Sequence, residues 1–147
     1  MEMHPEISIS DIRKGIEAKE ISPRESISYF LSRIENLDEK INSVISYHGK
    51  DSKEFHDYCL RIEQANEAGK DLPLAGVPIL VKDNICTRNI PTTAGSKILR
   101  RYTSPDSAVC LDLLESAGAF IVGKTNLDEF AMGSTSESSS FGSVKNP

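Results

Sequence analysis

Along the first seventy positions apolar residues recur at the three-to-four spacing of a helix face, and from Leu72 onward they gather into short continuous runs. Ser8 and Asp11 stand at capping-box spacing ahead of Ile9, Ile12 and Ile16 on one face, which predicts a short first helix. Ser22-Pro23-Arg24-Glu25 is a stronger start: Ser sits at the N-cap, Pro at the first helical position, and Glu where it can reach back. Ile27, Phe30, Leu31, Ile34 and Leu37 supply that helix's apolar stripe. An extended stretch from Val44 to Tyr47 leads to Asp51 and Glu54, a further cap-like pair. The helix after it carries Phe55, Tyr58, Cys59, Ile62 and Ala65 and stops before Gly69.

The second half reads differently. Leu74 to Val81 is a nearly unbroken apolar run bounded by Pro and Gly, the pattern of a strand buried on both faces, and it ends in the polar cluster Lys82-Asp83-Asn84. Ser104-Pro105-Asp106 predicts a helix start, with Val109, Cys110, Leu113, Leu114 and Ala117 facing inward and Gly118 as the stop. Ala119 to Val122 reads as the next strand, and Leu127 to Met132 as one or two helical turns. Strand, helix, strand in that order implies a parallel crossover, hence an α/β sheet covered by helices. Gly133 to Ser143 is so rich in Ser and Gly that composition alone predicts a flexible linker.

At 147 residues and 38% hydrophobic content the chain suits one globular domain, with residues 1–70 as a mostly helical layer and residues 71–147 as an α/β part. Seventeen Lys and Arg against 22 Asp and Glu give a net charge of -5, and no basic run argues for a direct grip on nucleic acid. The acidic opening matches neither a signal nor a transit peptide, and no apolar run is long enough to span a bilayer. Cys59, Cys86 and Cys110 are odd in number and widely spaced, without a His partner in a zinc-type set. That pattern indicates neither a disulfide framework nor a metal site, and it fits a reducing cytoplasm or organelle matrix.

Gly118 to Thr125 satisfies the phosphate-loop pattern G-x-x-x-x-G-K-[ST] letter for letter. The context opposes that reading, since a helix precedes the first Gly and the four intervening residues form an apolar run whose amides a sheet would use. Lys82 has two readings. As the continuation of a buried strand, its amine sits partly desolvated and serves as a base toward a hydroxyl; alternatively it is a solvated lysine paired with Asp83. His4, His48 and His56 are scattered without a Ser or Asp constellation and read as surface residues. Asp128 and Glu129, adjacent on a predicted helix, point apart and read as capping or solvated residues.

Three blocks taken together closely resemble the amidase-signature family: Leu74 to Asn84, Thr92-Thr93-Ala94-Gly95-Ser96, and Gly123 to Ser134. They occur in the family's order, and with the helical N-terminus the resemblance covers essentially the whole chain. Within the family, Asp128-Glu129-Phe130-Ala131-Met132-Gly133-Ser134 is similar to the tRNA-dependent amidotransferase branch. The resemblance implies the N-terminal part of the family's fold, a mixed sheet covered by helices with a helical N-terminal layer. It also implies a Ser–cis-Ser–Lys triad in which Lys82 deprotonates a bridging serine that activates the nucleophile, so it selects the base over the solvated lysine.

The family's Gly- and Ser-rich signature, which holds both serines, is expected beyond Pro147, and none of the serines from Ser134 to Ser143 matches either position. Met132, Gly133 and Ser134 are implied as part of a substrate-pocket wall. For the intact protein the resemblance implies hydrolysis of glutamine, with ammonia passed on to convert Glu-tRNA(Gln) to Gln-tRNA(Gln). Subunits B and C are the implied partners, and tRNA, ATP and magnesium are handled by the partner, so this chain itself holds no cofactor. The alternatives are another amidase-signature hydrolase of small amides, a truncated non-catalytic paralogue or docking fragment, and a nucleotide-binding protein that would lose ATP on Lys124→Ala. Because later strands would cover its apolar edges, the isolated chain is expected to be marginally stable and inactive.

Overall fold

The computed structural model describes residues 3–146. Met1, Glu2 and Pro147, on which the readings of the acidic opening and of the chain's end partly rest, lie outside the described residues. Four helices and three strands follow in the order α1 (Ile9–Glu17), α2 (Pro23–Ile41), β1 (Val44–Tyr47), α3 (Lys53–Glu67), β2 (Pro78–Lys82), α4 (Val109–Ser116) and β3 (Phe120–Thr125). The fold is α/β, and the first half is helical as the spacing predicts.

The helix starts are built from the expected caps, with one shift. Ser8 accepts from the Asp11 amide at the head of α1, and Ser22 and Glu25 close a reciprocal capping box on α2 with Pro23 inside it. Asn42 ends α2 in the left-handed conformation at φ 59°. For α3 the cap is Ser52, which accepts from the Phe55 amide, rather than the pair Asp51 and Glu54. The predicted spacing is right in kind but one residue early, because a short hydroxyl reaches the third amide as well as a carboxylate does.

The sheet order is β1-β3-β2, with β3 central, parallel to β2 and antiparallel to β1. Ile27 and Leu31 of α2 and Phe55, Tyr58, Cys59 and Ile62 of α3 pack with Phe120 and Val122 on one face. Leu111 of α4 packs with Val81 and Ile121 on the other. Each fully buried Leu or Ile contributes roughly 1.5–3 kcal/mol, so the α2/α3 face carries most of the hydrophobic stabilisation.

Three expectations are corrected. Residues 72–77 form turns rather than strand, with Ala75 donating to the Leu72 carbonyl and Val77 to the Leu74 carbonyl, and β2 begins only at Pro78. Val81 is buried under α4 while Leu80, on the opposite face, stays 41% exposed, so the strand is not covered on both faces. Finally, Ser104 closes a turn with Asp106 instead of capping a helix. The helix starts at Val109, and Val109, Cys110 and Leu113 face solvent while Leu111 faces the sheet. A helix apolar on nearly every side does not announce which stripe is buried.

The link between β2 and β3 is in register except at one point. Ile79 pairs with Ile121 and Leu80 with Gly123, which leaves Val122 as an extra residue. Such a bulge breaks the alternation of faces. Val122 packs toward α2 and α3, and two residues later Lys124, paired with Val81, shares the α4 face. Gly123 sits so close to β1 that a Cβ there would lie 2.3 Å from the Ser46 carbonyl oxygen.

Candidate active site

Two lysines stand at the same end of the sheet on opposite faces. Lys82 is the last residue of β2 and pairs with Thr125. Strand alternation turns Val81 and Asp83 inward and sends the Lys82 side chain outward, where it is exposed. It opens onto a cleft of about 530 Å³ shared with Asn126, Asp128, Gly133, Ser134, Thr135, Ser136 and Lys145. The desolvation expected for Lys82 is therefore not supplied by residues 3–146. It lies on the side of the Ser- and Gly-rich segment.

Lys124 is the lysine that the fold buries, at 0% exposure. Its ammonium donates to the Ile85 carbonyl at 2.5 Å, the Thr87 hydroxyl at 2.9 Å and the Thr92 hydroxyl at 3.0 Å, which uses all three of its N–H groups. Asp83 Oδ1 lies 3.7 Å away and supplies the compensating charge, while Asp83 Oδ2 accepts from the Thr93 amide and hydroxyl. Burial pushes the Lys124 ammonium below the ordinary lysine range, and the Asp83 carboxylate opposes that push. The cluster ties residues 83–93 to β3 directly beneath Lys82. It also disposes of the phosphate-loop reading: Lys124 and Thr125 lie within β3, and Phe120 donates its amide to Val77. Sequence reasoning misses this role because the buried side of Lys124 depends on the bulge at Val122, which no local pattern announces.

The Ser-rich segment is ordered, contrary to the linker expected from its composition, and Asp128 is the reason. With 6% exposure, its Oδ2 accepts from the amides of Thr135 and Ser136 at 3.0 and 2.8 Å. Its Oδ1 accepts from the amide and hydroxyl of Ser138 at 3.1 and 2.8 Å. These donors, the Ser138 amide first, hold the carboxyl below the usual carboxylate range. Asn126 accepts from the Ser139 hydroxyl and donates to the carbonyls of Asn42 and Gly142, while Ser140 donates to Gly95 and Lys145 to Ile41. The Thr92 to Ser96 block and the end of α2 thus form the floor under the segment. Between Asp128 and the serines, the predicted helical turns reduce to a single 3₁₀ turn, Glu129–Ala131, with Phe130 at φ 52°.

Of the expected pocket wall, Gly133 and Ser134 line the cleft with Lys82, whereas Met132 is 84% exposed and does not line it. The histidines lie apart from the cleft. His4 and His56 are exposed, and partly buried His48 is held below the ordinary histidine range by burial, against the pull of Glu54 at 3.5 Å. Among the described residues no group of three His, Cys, Asp or Glu side chains is placed to hold a metal, and no helix is long and apolar enough to cross a membrane.

Compared with known proteins, residues 25–147 match the family model described as amidase. The A-subunit of the Glutamyl-tRNA(Gln) amidotransferase of Lachnoclostridium phytofermentans is 45% identical over 139 residues, which is 93% of this chain and 28% of that protein. The crystal structure of the corresponding A-subunit from Thermotoga maritima aligns at a TM-score of 0.73 and 34% identity over 96% of this chain and 27% of that one. The native peptide amidase of Stenotrophomonas maltophilia aligns at a TM-score of 0.81 and 31% identity over 95% of this chain and 29% of that one. The chain therefore spans less than a third of the length of the curated relatives it matches.

Proposed function

The chain belongs to the amidase family, and from that premise we propose that it is the lysine-bearing N-terminal portion of a glutamine-hydrolysing amidotransferase. Lys82 is the base of a Ser–cis-Ser–Lys triad: it takes the proton of a bridging serine, which takes that of the nucleophilic serine as the latter attacks the glutamine side-chain amide. The proton taken up by Lys82 is returned through the bridging serine to the leaving nitrogen, which departs as ammonia, and water activated by the same relay hydrolyses the acyl-enzyme to glutamate. Both serines come from the rest of such an enzyme. The ammonia passes to a partner that, with subunits B and C assembled, uses ATP and magnesium on Glu-tRNA(Gln). The net charge of -5 fits a chain that leaves tRNA to that partner.

The observation that carries the reading is the placement of Lys82 at the carboxyl end of a strand, opening into a cleft walled by Asp128, Gly133, Ser134, Thr135 and Ser136. Lys82→Ala in the intact enzyme is expected to lower glutamine hydrolysis by about a thousandfold or more, as loss of one member of such a unit does. Lys82→Arg is expected to be equally inactive because a guanidinium does not give up its proton. Residues 1–147 alone are expected to show no turnover above a Lys82→Ala control. An intact Lys82→Ala enzyme within tenfold of its parent would overturn the assignment.

The higher TM-score to the peptide amidase, 0.81 against 0.73, favours one second reading: a hydrolase of small or peptide amides that uses the same lysine. Competing glutamine against C-terminal peptide amides separates the two, since each enzyme spends its specificity on the part of the substrate that does not react.

A further inference from the structure

Asp128 touches no reacting group, yet its carboxylate sets the shape of the wall that Lys82 faces. Both of its oxygens are taken by donors from one short segment, Thr135 to Ser138. The stretch from Asp128 to these donors returns toward the carboxylate at Gly133, where a Cβ would lie 2.5 Å from the Asp128 carboxyl carbon and 2.6 Å from Oδ2. The glycine is therefore demanded by contact with a side chain. The carboxylate and Gly133 fit as plug and socket, and both border the cleft that holds Lys82. Ser136, with φ 58°, passes the restraint on by accepting from the Val144 amide through its hydroxyl.

We infer that Asp128 is a positioning residue: its carboxylate fixes the path of residues 133–138, and with it the substrate-facing wall opposite Lys82. The inference rests on the functional reading above. Without the carboxylate the amides of Thr135, Ser136 and Ser138 lose a common acceptor, and a Ser- and Gly-rich segment reverts to the flexible behaviour its composition favours. Displacing a wall by about an ångström is enough to cost on the order of a hundredfold in turnover efficiency.

The test uses the intact enzyme with Asp128→Asn and, separately, Gly133→Ala. The second variant leaves the carboxylate in place but forces a methyl group into its socket. Both are expected to lower kcat/KM for glutamine by about a hundredfold, mainly through KM, with the pH profile of kcat unchanged because Lys82 is untouched. Asp128→Glu is expected to recover part of the loss. Values for Asp128→Asn within threefold of the parent would overturn the inference, as would a shifted pH profile at unchanged KM, which would make Asp128 part of the chemistry. If Asp128→Asn fails to fold, Gly133→Ala decides, and a fully active Gly133→Ala enzyme overturns the inference. If Lys82→Ala proves active while Asp128→Asn raises KM, the triad reading fails and the positioning role stands.

Discussion

Replacing Lys124 by methionine removes a buried ammonium while keeping most of its apolar stem. The Ile85 carbonyl and the Thr87 and Thr92 hydroxyls lose their shared donor, and the Asp83 carboxylate is left at 0% exposure with Thr93 as its hydrogen-bond partner. Removing one partner from a buried charge pair costs about 3–5 kcal/mol, because the remaining charge has neither water nor a counterion. Set against the roughly 5–15 kcal/mol of ordinary native domains, and less for a chain expected to be marginally stable in isolation, that is a large share. With a urea m-value of about 2 kcal/mol per molar, the unfolding midpoint is expected to fall by roughly 2 M. Asp83→Asn carries a comparable penalty, but the double variant has no orphaned charge and is expected to lose less than the sum by about 1–3 kcal/mol. Urea denaturation of the four proteins, followed by far-UV circular dichroism, supplies the cycle. A Lys124→Met midpoint within about 0.5 M of the parent, or strictly additive losses, would refute the account of the pair as a mutually dependent buried unit.

Tyr58, 3% exposed, is pushed up to about 12 by burial, above its ordinary 10.0, so the folded state keeps a proton that the unfolded state has released. Its contribution is whole below pH 10 and is lost as the pH rises toward 12, a loss of order 2–3 kcal/mol that Tyr58→Phe abolishes and alkaline thermal melts read out. At neutral pH Tyr58→Phe also strands the Gly76 amide, which donates to the phenol oxygen at 2.8 Å, at a cost of about 1–3 kcal/mol. Ser22→Ala removes the α2 capping box and is expected to lower stability by about 1 kcal/mol in a urea melt. Lys82→Ala, at an exposed strand end, is expected to change the midpoint by less than the equivalent of about 0.5 kcal/mol, which separates its effect on turnover from any effect on folding.

Features whose cause lies within four or five residues are legible in the sequence. The caps of α1 and α2, the break at Gly69 and the parallel pairing of the two later strands follow from hydroxyls, Pro, Gly and apolar spacing, and the structure reproduces them. What the sequence conceals depends on partners farther along the chain. The Ser-rich segment reads as a linker until the Asp128 carboxylate is seen to accept from residues seven to ten positions later. The apolar run ending at Lys82 leaves that residue open to a partly desolvated or a solvated reading and gives no hint of Lys124; the register places Lys82 outward on an edge strand and draws Lys124 inward. The apolar positions of α4 are recognisable, yet which of them faces the sheet is decided by the docking of Leu111 on Val81 and Ile121.

The extra residue at Val122 acts as a parity switch for everything after it. Were Val122 kept but the bulge flattened, strict alternation would carry the Lys124 amine around to the side where Lys82 already stands. Asp83 would be left unneutralised inside, and two like charges would crowd the mouth of one cleft. A missing codon at Val122 would instead restore plain alternation and leave the Lys124 amine inward beside Val81, so the local distortion, and not the residue count, keeps the cation inside.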